Sequence, residues 1–150
     1  MVIKYLYDKF PMATSHELAL PRTKAVCAPA LAFLAIKKLG LHKVILVNQP
    51  DLIEAVNAYV PLFQATSGEE IITRGWRYDP PKVLSDVFES VMGAVLIDSG
   101  YNYEKTSAVV EHIMEDILAP LSPSIRRDPV SDLVTWMASK GCLKVTFEYV

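Results

Sequence analysis

Residues 79–100 read DPPKVLSDVFESVMGAVLIDSG and place Asp86 and Glu89 among the apolar residues in the middle of the stretch. Asp79, as a cap ahead of two prolines in the first turn, predicts a helix start, and Gly100 predicts its end. The apolar residues between them cover most of the helix circumference, so we expect this helix to be buried on most sides. Two acidic residues in such a helix require a physical explanation.

Asp86 and Glu89 are three residues apart, which places them roughly 60° apart around the axis and on one face of the helix. Buried ionised carboxylates need a cationic partner, a metal ion or access to solvent. Mg²⁺ and Mn²⁺ prefer hard oxygen ligands, and Mg²⁺ completes its shell with water and phosphate oxygens. The alternative is a pair that merely gains from the positive end of the helix dipole. The spacing alone leaves both interpretations open.

Several further motifs share a fixed order along the chain. Within the acidic stretch they are Pro81-Lys82, Asp86-x-x-Glu89-Ser90, Gly93-Ala94 and Asp98-Ser99-Gly100. Ahead of it they are YLYDKFP from Tyr5 to Pro11, His16-Glu17-Leu18, Arg22, Ala30 to Gly40 followed by Leu41, and Gly75-Trp76-Arg77-Tyr78. Together these motifs, over about residues 3–120, resemble the ribonuclease III family, in the form of the second ribonuclease III domain of a fungal Dicer-like protein. The stretch around Asp86 resembles the family's second acidic motif.

The resemblance implies an all-α, ribonuclease III-type endonuclease domain that hydrolyses double-stranded RNA with Mg²⁺ or Mn²⁺. Asp86 and Glu89 would then be catalytic metal ligands, and Lys82 matches a lysine common in Dicer-type motifs that could contact a phosphate. The implied partners are double-stranded RNA and a second ribonuclease III domain, in the same chain or in a dimer. RNA recognition would follow the shape of the A-form duplex more than its sequence.

Part of the family pattern is missing from this chain. Family members use four acidic residues per site, and the first two lie in a signature resembling Glu-x-x-Glu-Phe-Leu-Gly-Asp, ahead of the segment that matches Val2 to Tyr5. No such string occurs here. We therefore expect a domain without its first signature helix and with little turnover by itself. The alternatives are a catalytically inactive RNA-processing scaffold or dimerisation fragment, and a helical interaction domain with no RNA role.

Composition limits the possible classes of protein. A chain of 150 residues with 51% hydrophobic content can bury one ordinary core. No apolar run reaches the roughly 18 to 20 residues of a membrane span, and no signal-peptide pattern is present. We expect no membrane partner and an intracellular location, cytoplasmic or nuclear. The two cysteines have no zinc-site spacing.

The net charge of -2 lacks the overall basic character of an autonomous nucleic-acid clamp. Any RNA contact must therefore come from local basic clusters. The candidates are Arg74, Arg77 and Lys82; Lys37, Lys38 and Lys43; and Arg126 with Arg127. Each could simply be a solvated face, and the first is favoured because it borders Asp86.

Apolar periodicity and capping residues predict the other helices. These are Val2–Phe10, a helix from a Thr23 cap to Gly40 with a kink at Pro29, a helix from an Asp51–Glu54 capping box, and Tyr103–Ala119 after an Asn102 cap.

A change in composition after Leu118 predicts the domain organisation. Residues 1–120 form the ribonuclease III domain, and residues 121–128 form a linker rich in proline and serine. Residues 129–150 resemble the incomplete start of a double-stranded RNA-binding domain, with one helix ended by Gly141 and one strand over 143–150.

Overall fold

A computed structural model describes residues 1–142 and residue 146, and shows helices joined by short loops. The α-helices are α1 (Val2–Lys9), α2 (Ser15–Ala25), α3 (Ala28–Lys37), α4 (Pro50–Ala65), α5 (Gly68–Arg74), α6 (Lys82–Asp98), α7 (Tyr103–Ile113), α8 (Glu115–Leu118) and α9 (Pro129–Ser139). Short 3₁₀ helices cover Leu41–Lys43 and Gly75–Arg77. The described residues contain no strand, so the all-α prediction is confirmed. The predicted strand over 143–150 lies outside the described residues except for residue 146.

Helix α3 is the centre of the core. All residues from Ala30 to Ile36 are buried, as expected for a helix that is apolar on every side. It packs along α6 and also contacts α4 and α5. The Phe33 ring meets the Phe63 ring of α4 edge to face, with 6.2 Å between centroids. Phe63 in turn contacts the Tyr78 ring at 5.5 Å, so this aromatic cluster reaches the loop ahead of α6.

The predicted helix from Thr23 to Gly40 was wrong, because the chain forms two helices there. Thr14 caps α2: its Oγ1 accepts from the Glu17 N–H at 3.3 Å, while the Thr14 N–H donates to Glu17 Oε2 at 2.8 Å. This capping box satisfies two N–H groups that a helix start would leave unpaired. Thr23 lies inside α2, where its hydroxyl donates to the Ala19 carbonyl. Pro29 lies in the first turn of α3, where its missing N–H is tolerated, and does not kink a longer helix.

The other predicted helix starts had mixed outcomes. The Asp51–Glu54 capping box was wrong, because α4 already begins at Pro50, a residue suited to the first helical position. The Asn102 cap was correct: its Oδ1 accepts from the Lys105 N–H at 3.0 Å. That helix ends at Ile113 and not at Ala119, however. The backbone of the buried Met114 has a ψ angle of 4°, which is outside the α-helical range, and α8 begins after it.

Among the residues that the structure describes, no single helix is long and apolar enough to cross a membrane. Helices α2 and α3 have the length and apolar composition of a membrane span only when they are taken together, and their axes are bent by 47° where they meet.

The capping box gives a prediction for pH dependence. Hydrogen bonds from the Thr14 N–H and hydroxyl lower the pKa of the Glu17 carboxyl below its ordinary value of 4.5. Because the folded-state pKa is the lower one, this stabilisation is present above about pH 4.5 and is lost as the pH falls through the folded-state pKa. We expect a Glu17→Gln chain to lose less unfolding free energy than the parent over this acid range.

Urea unfolding at a series of pH values measures this difference. Glu54→Gln is the matched control, since Glu54 is exposed and forms no hydrogen bond among the described residues. Parallel pH profiles for the parent and the Glu17→Gln chain would contradict the prediction.

Candidate functional site

The helix that carries the acidic pair starts later than the sequence suggested. Helix α6 begins at Lys82 after Pro81, and Asp79 does not cap it. The Asp79 N–H instead donates to the Tyr59 hydroxyl at 3.0 Å. Pro80 precedes another proline, which disfavours helical backbone, so both prolines lie outside the first turn.

The later start bears on the two interpretations of the acidic pair. The first turn of α6 contains no acidic residue, and Asp86 and Glu89 lie in the following turns. The stabilisation of acidic groups by the helix dipole fades within the first turn. The structure therefore weakens the helix-dipole interpretation and leaves access to solvent, a cationic partner or a bound ligand as the explanation.

The prediction that this helix is buried on most sides was also wrong. Its buried residues are Leu84, Ser85 and Phe88, all in the first half. Helix α6 has 17 residues whereas α3 has 10, so α6 is about 10 Å longer than its main neighbour. The second half emerges from the core, and Ile97 is 61% exposed.

Asp86, Glu89 and Lys82 all lie at one cavity, as their helical spacing predicts. The cavity measures about 430 Å³, and both carboxylates are on exposed residues. Its opposite wall comes from the junction of α2 and α3, with Val26, Ala28 and Leu31. This wall could not be predicted from the sequence, because it depends on how α3 packs against α6.

Lys82 and Asp86 form an ion pair one helical turn apart. Lys82 Nζ lies 2.6 Å from Asp86 Oδ1 and 2.7 Å from Oδ2. The hydrogen bonds and the charge of Asp86 raise the pKa of Lys82. Because both groups are exposed, the pair contributes little to stability. The Glu89 carboxylate has no hydrogen bond or ion pair with any described residue, although its charge also raises the pKa of Lys82, so it is available to a ligand.

The donor set at this cavity fits a divalent cation of the magnesium type. Two accessible carboxylates about one turn apart match the one or two that Mg²⁺ usually takes from a protein. Across residues 1–142 and 146, no group of three or more His, Cys, Asp or Glu side chains is arranged to hold a metal. Water or substrate oxygens would have to complete the coordination.

The predicted basic clusters are arranged differently in the fold. Lys37 donates to the Thr66 carbonyl and Lys38 pairs with Asp116 at 2.9 Å, so two of the three lysines in their cluster have contacts within the chain. Arg74 and Arg77 line a cavity to which Lys82 does not contribute. Only Lys82 from the favoured cluster lies at the acidic site.

Comparison with known proteins identifies the family of this chain. The profile of the Ribonuclease III domain matches residues 1–100, which is two-thirds of the chain. The chain therefore belongs to the ribonuclease III family. Family members act on double-stranded RNA, often dimerise, and generally depend on a divalent metal ion.

Within the family, the similarity is to Dicer proteins over nearly the whole chain. The chain is 33% identical to Endoribonuclease Dicer homolog 2 of Arabidopsis thaliana over 99% of its own length, and 26% identical to Protein Dicer of Schizosaccharomyces pombe over 95%. It is also 30% identical to Ribonuclease 3-like protein 2 of Arabidopsis thaliana over 88%, or 33% of that relative. It corresponds to a ribonuclease III domain of a Dicer-like protein.

The chain spans about a tenth of the length of the two Dicer relatives. No solved structure is significantly similar to it.

Proposed function

We propose that this domain is the second ribonuclease III domain of a Dicer-like enzyme and cuts one strand of double-stranded RNA during RNA interference. Asp86 and Glu89 would hold Mg²⁺ or Mn²⁺, and Lys82 would contact a phosphate at the same site. The observation that carries the proposal is the cavity shared by these three side chains, where the Glu89 carboxylate forms no hydrogen bond or ion pair with a described residue.

The proposed roles follow from the geometry of α6. Glu89 would bind the metal directly, because its carboxylate forms no hydrogen bond or ion pair with a described residue. Asp86 would share its two carboxylate oxygens between the metal and Lys82. The Lys82 ammonium group already lies within 2.7 Å of both oxygens. Lys82 could then turn toward a phosphate oxygen, since its flexible side chain is exposed. A bound Mg²⁺ would lower the pKa of the attacking water and offset charge on the leaving oxygen.

The exposed second half of α6 supports pairing with another ribonuclease III domain. Ile97 and Tyr101 lie on or just after this half, and both are more than half exposed. An apolar helix end that protrudes from the core can bury its surface only against another structure. We propose that this structure is the second catalytic domain, in the same polypeptide or in a dimer.

A catalytically inactive RNA-processing scaffold is the second candidate function. It is supported by the lack of a metal-binding group of three or more ligands among the described residues. A scaffold would still bind duplex RNA but would not cut it.

Metal-dependent cleavage of a labelled RNA duplex tests the proposal. We expect slow cleavage that requires Mg²⁺ and is abolished by a chelator, with a further loss of about 100-fold or more in the Glu89→Gln and Asp86→Asn chains. Manganese binding, followed by electron paramagnetic resonance, should weaken in the same two variants. This second measurement reports on the metal site even where turnover is slow.

Asp98→Asn is the matched control, because Asp98 is an exposed carboxylate on the same helix about 18 Å from Asp86 along the axis. It should leave cleavage and manganese binding unchanged. Duplex binding without cutting would favour the scaffold, and a folded chain that neither binds nor cuts RNA would contradict both functions.

A further inference from the structure

We propose that four arginines, Arg74, Arg77, Arg126 and Arg127, form a cleft that binds backbone phosphates of duplex RNA outside the α6 cavity. This arginine cleft would hold the duplex, and it includes no residue that we place in the chemical step. The inference rests on the proposed function, because that function supplies RNA as the ligand.

The arginine cleft joins two parts of the chain that are far apart in sequence. Arg74 and Arg77 lie at the end of α5 and in the following 3₁₀ helix, whereas Arg126 and Arg127 lie just before α9. All four line one cavity of about 390 Å³. Residues of two of the three candidate basic clusters therefore meet at one cavity, because the chain segment before α9 folds back against the end of α5.

The four arginines of this cleft are not engaged in ion pairs within the described part of the chain. None of the four arginines forms an ion pair with a described residue. Glu69 and Glu70 border a neighbouring depression beside Arg74, but neither is within ion-pair distance of it. Four like charges around one cavity repel each other, so an anion bound there would relieve the repulsion. The chain as a whole is slightly negative, which makes this a local feature.

Guanidinium groups favour phosphate as that anion. Their planar forks match phosphate oxygens with two hydrogen bonds at once. The Arg77 guanidinium lies over the Trp76 ring at 5.2 Å, which limits the orientations it can take. Arg127 is held by a hydrogen bond from its Nη1 to Thr135 Oγ1 of α9 at 3.3 Å. Two of the four groups are thus partly oriented before any ligand binds.

The arginine cleft is connected to the acidic site along the surface. Trp76 lines both the cleft and an adjacent apolar cavity, which also includes Cys27 and Pro29. The neighbouring residues Val26 and Ala28 line the cavity that contains Asp86 and Glu89. A duplex seated at the carboxylates could therefore extend across this surface and reach the arginines.

Binding of a labelled RNA duplex in a chelating buffer, at salt concentrations from about 50 to 200 mM, tests this inference. The variants are Arg74→Gln/Arg77→Gln and Arg126→Gln/Arg127→Gln. Each double variant should weaken duplex binding and reduce the slope of the logarithm of the binding constant against the logarithm of the salt concentration by about two. Each phosphate contact releases about one counterion, and each variant removes two such contacts. Lys105→Gln/Lys140→Gln is the control with the same change in charge, at two exposed lysines away from the cleft.

The outcomes separate the two proposals. If the parent chain binds the duplex and both arginine variants behave like the lysine control, the arginine cleft is refuted while the proposed function stands. If the folded parent chain binds no duplex either in the chelating buffer or with Mg²⁺ present, the proposed function fails and the cleft fails with it. A check by circular dichroism excludes unfolding, and Arg126→Lys/Arg127→Lys should recover most of the salt slope because it retains both charges.

Discussion

A Phe88→Ala chain is expected to lose about 3 to 5 kcal/mol of unfolding free energy. Phe88 is 2% exposed and belongs to the first half of α6, the part of that helix that reaches the core. Removing its ring leaves a cavity that the surrounding helices can close only in part. Because Phe88 lies between Asp86 and Glu89 in sequence, loss of this anchor should also loosen the acidic site. Urea unfolding of the parent and variant chains measures the change.

Ile97→Ala is the matched control on the same helix. Ile97 lies in the second half of α6 and is 61% exposed, so its truncation should change the unfolding free energy by no more than about 0.5 kcal/mol. Equal losses for the two variants would show that the second half of α6 is buried after all, for example in a dimer of the chain.

The Gly68→Ala substitution is expected to destabilise the fold by about 1 to 3 kcal/mol or more. Gly68 is the first residue of α5, where this helix meets α8. A Cβ atom at Gly68 would lie 2.0 Å from the Asp116 carbonyl oxygen and 2.6 Å from the carbonyl carbon. Backbone atoms cannot move aside as a flexible side chain can, so the two helices would have to separate. Thermal and urea unfolding both report this loss.

The Gly93→Ala substitution, in contrast to Gly68→Ala, is expected to stabilise the chain. Gly93 lies inside α6, and a Cβ atom there would meet nothing within 4 Å. Since glycine weakens a helix interior relative to alanine, this change should stabilise the chain by about 0.5 to 1 kcal/mol. A destabilised Gly93→Ala chain together with a neutral Gly68→Ala chain would contradict the packing described for both positions.

The helical class of the fold was predictable because its signals are local. The apolar run of α3 and the Asn102 cap each lie within a few residues of the structure that they specify. The errors occurred where two local signals competed. Thr23 resembles a cap, but the Thr14–Glu17 pair supplies the stronger one earlier in the chain. Only the packed structure shows where α6 leaves the core, since that depends on the length of α3.

The candidate site was predictable to a similar extent. Lys82, Asp86 and Glu89 are three and four residues apart on one helix, so their proximity follows from helical geometry. Their roles in metal binding and catalysis remain predictions. The arginine cleft could not be predicted, because about fifty residues separate Arg77 from Arg126 and no periodicity links them.

The ion pair between Lys82 and Asp86 gives the acidic site a charge that a metal ion can reverse. Lys82, Asp86 and Glu89 together carry one net negative charge, which repels phosphate, and a divalent ion added to them would give one net positive charge. Metal and RNA would then each increase the affinity for the other by the same factor, as thermodynamic linkage requires. In this way, the positive charge of Lys82 would limit the repulsion between the metal-free site and a phosphate group. Binding of the metal would then make the site attractive to phosphate.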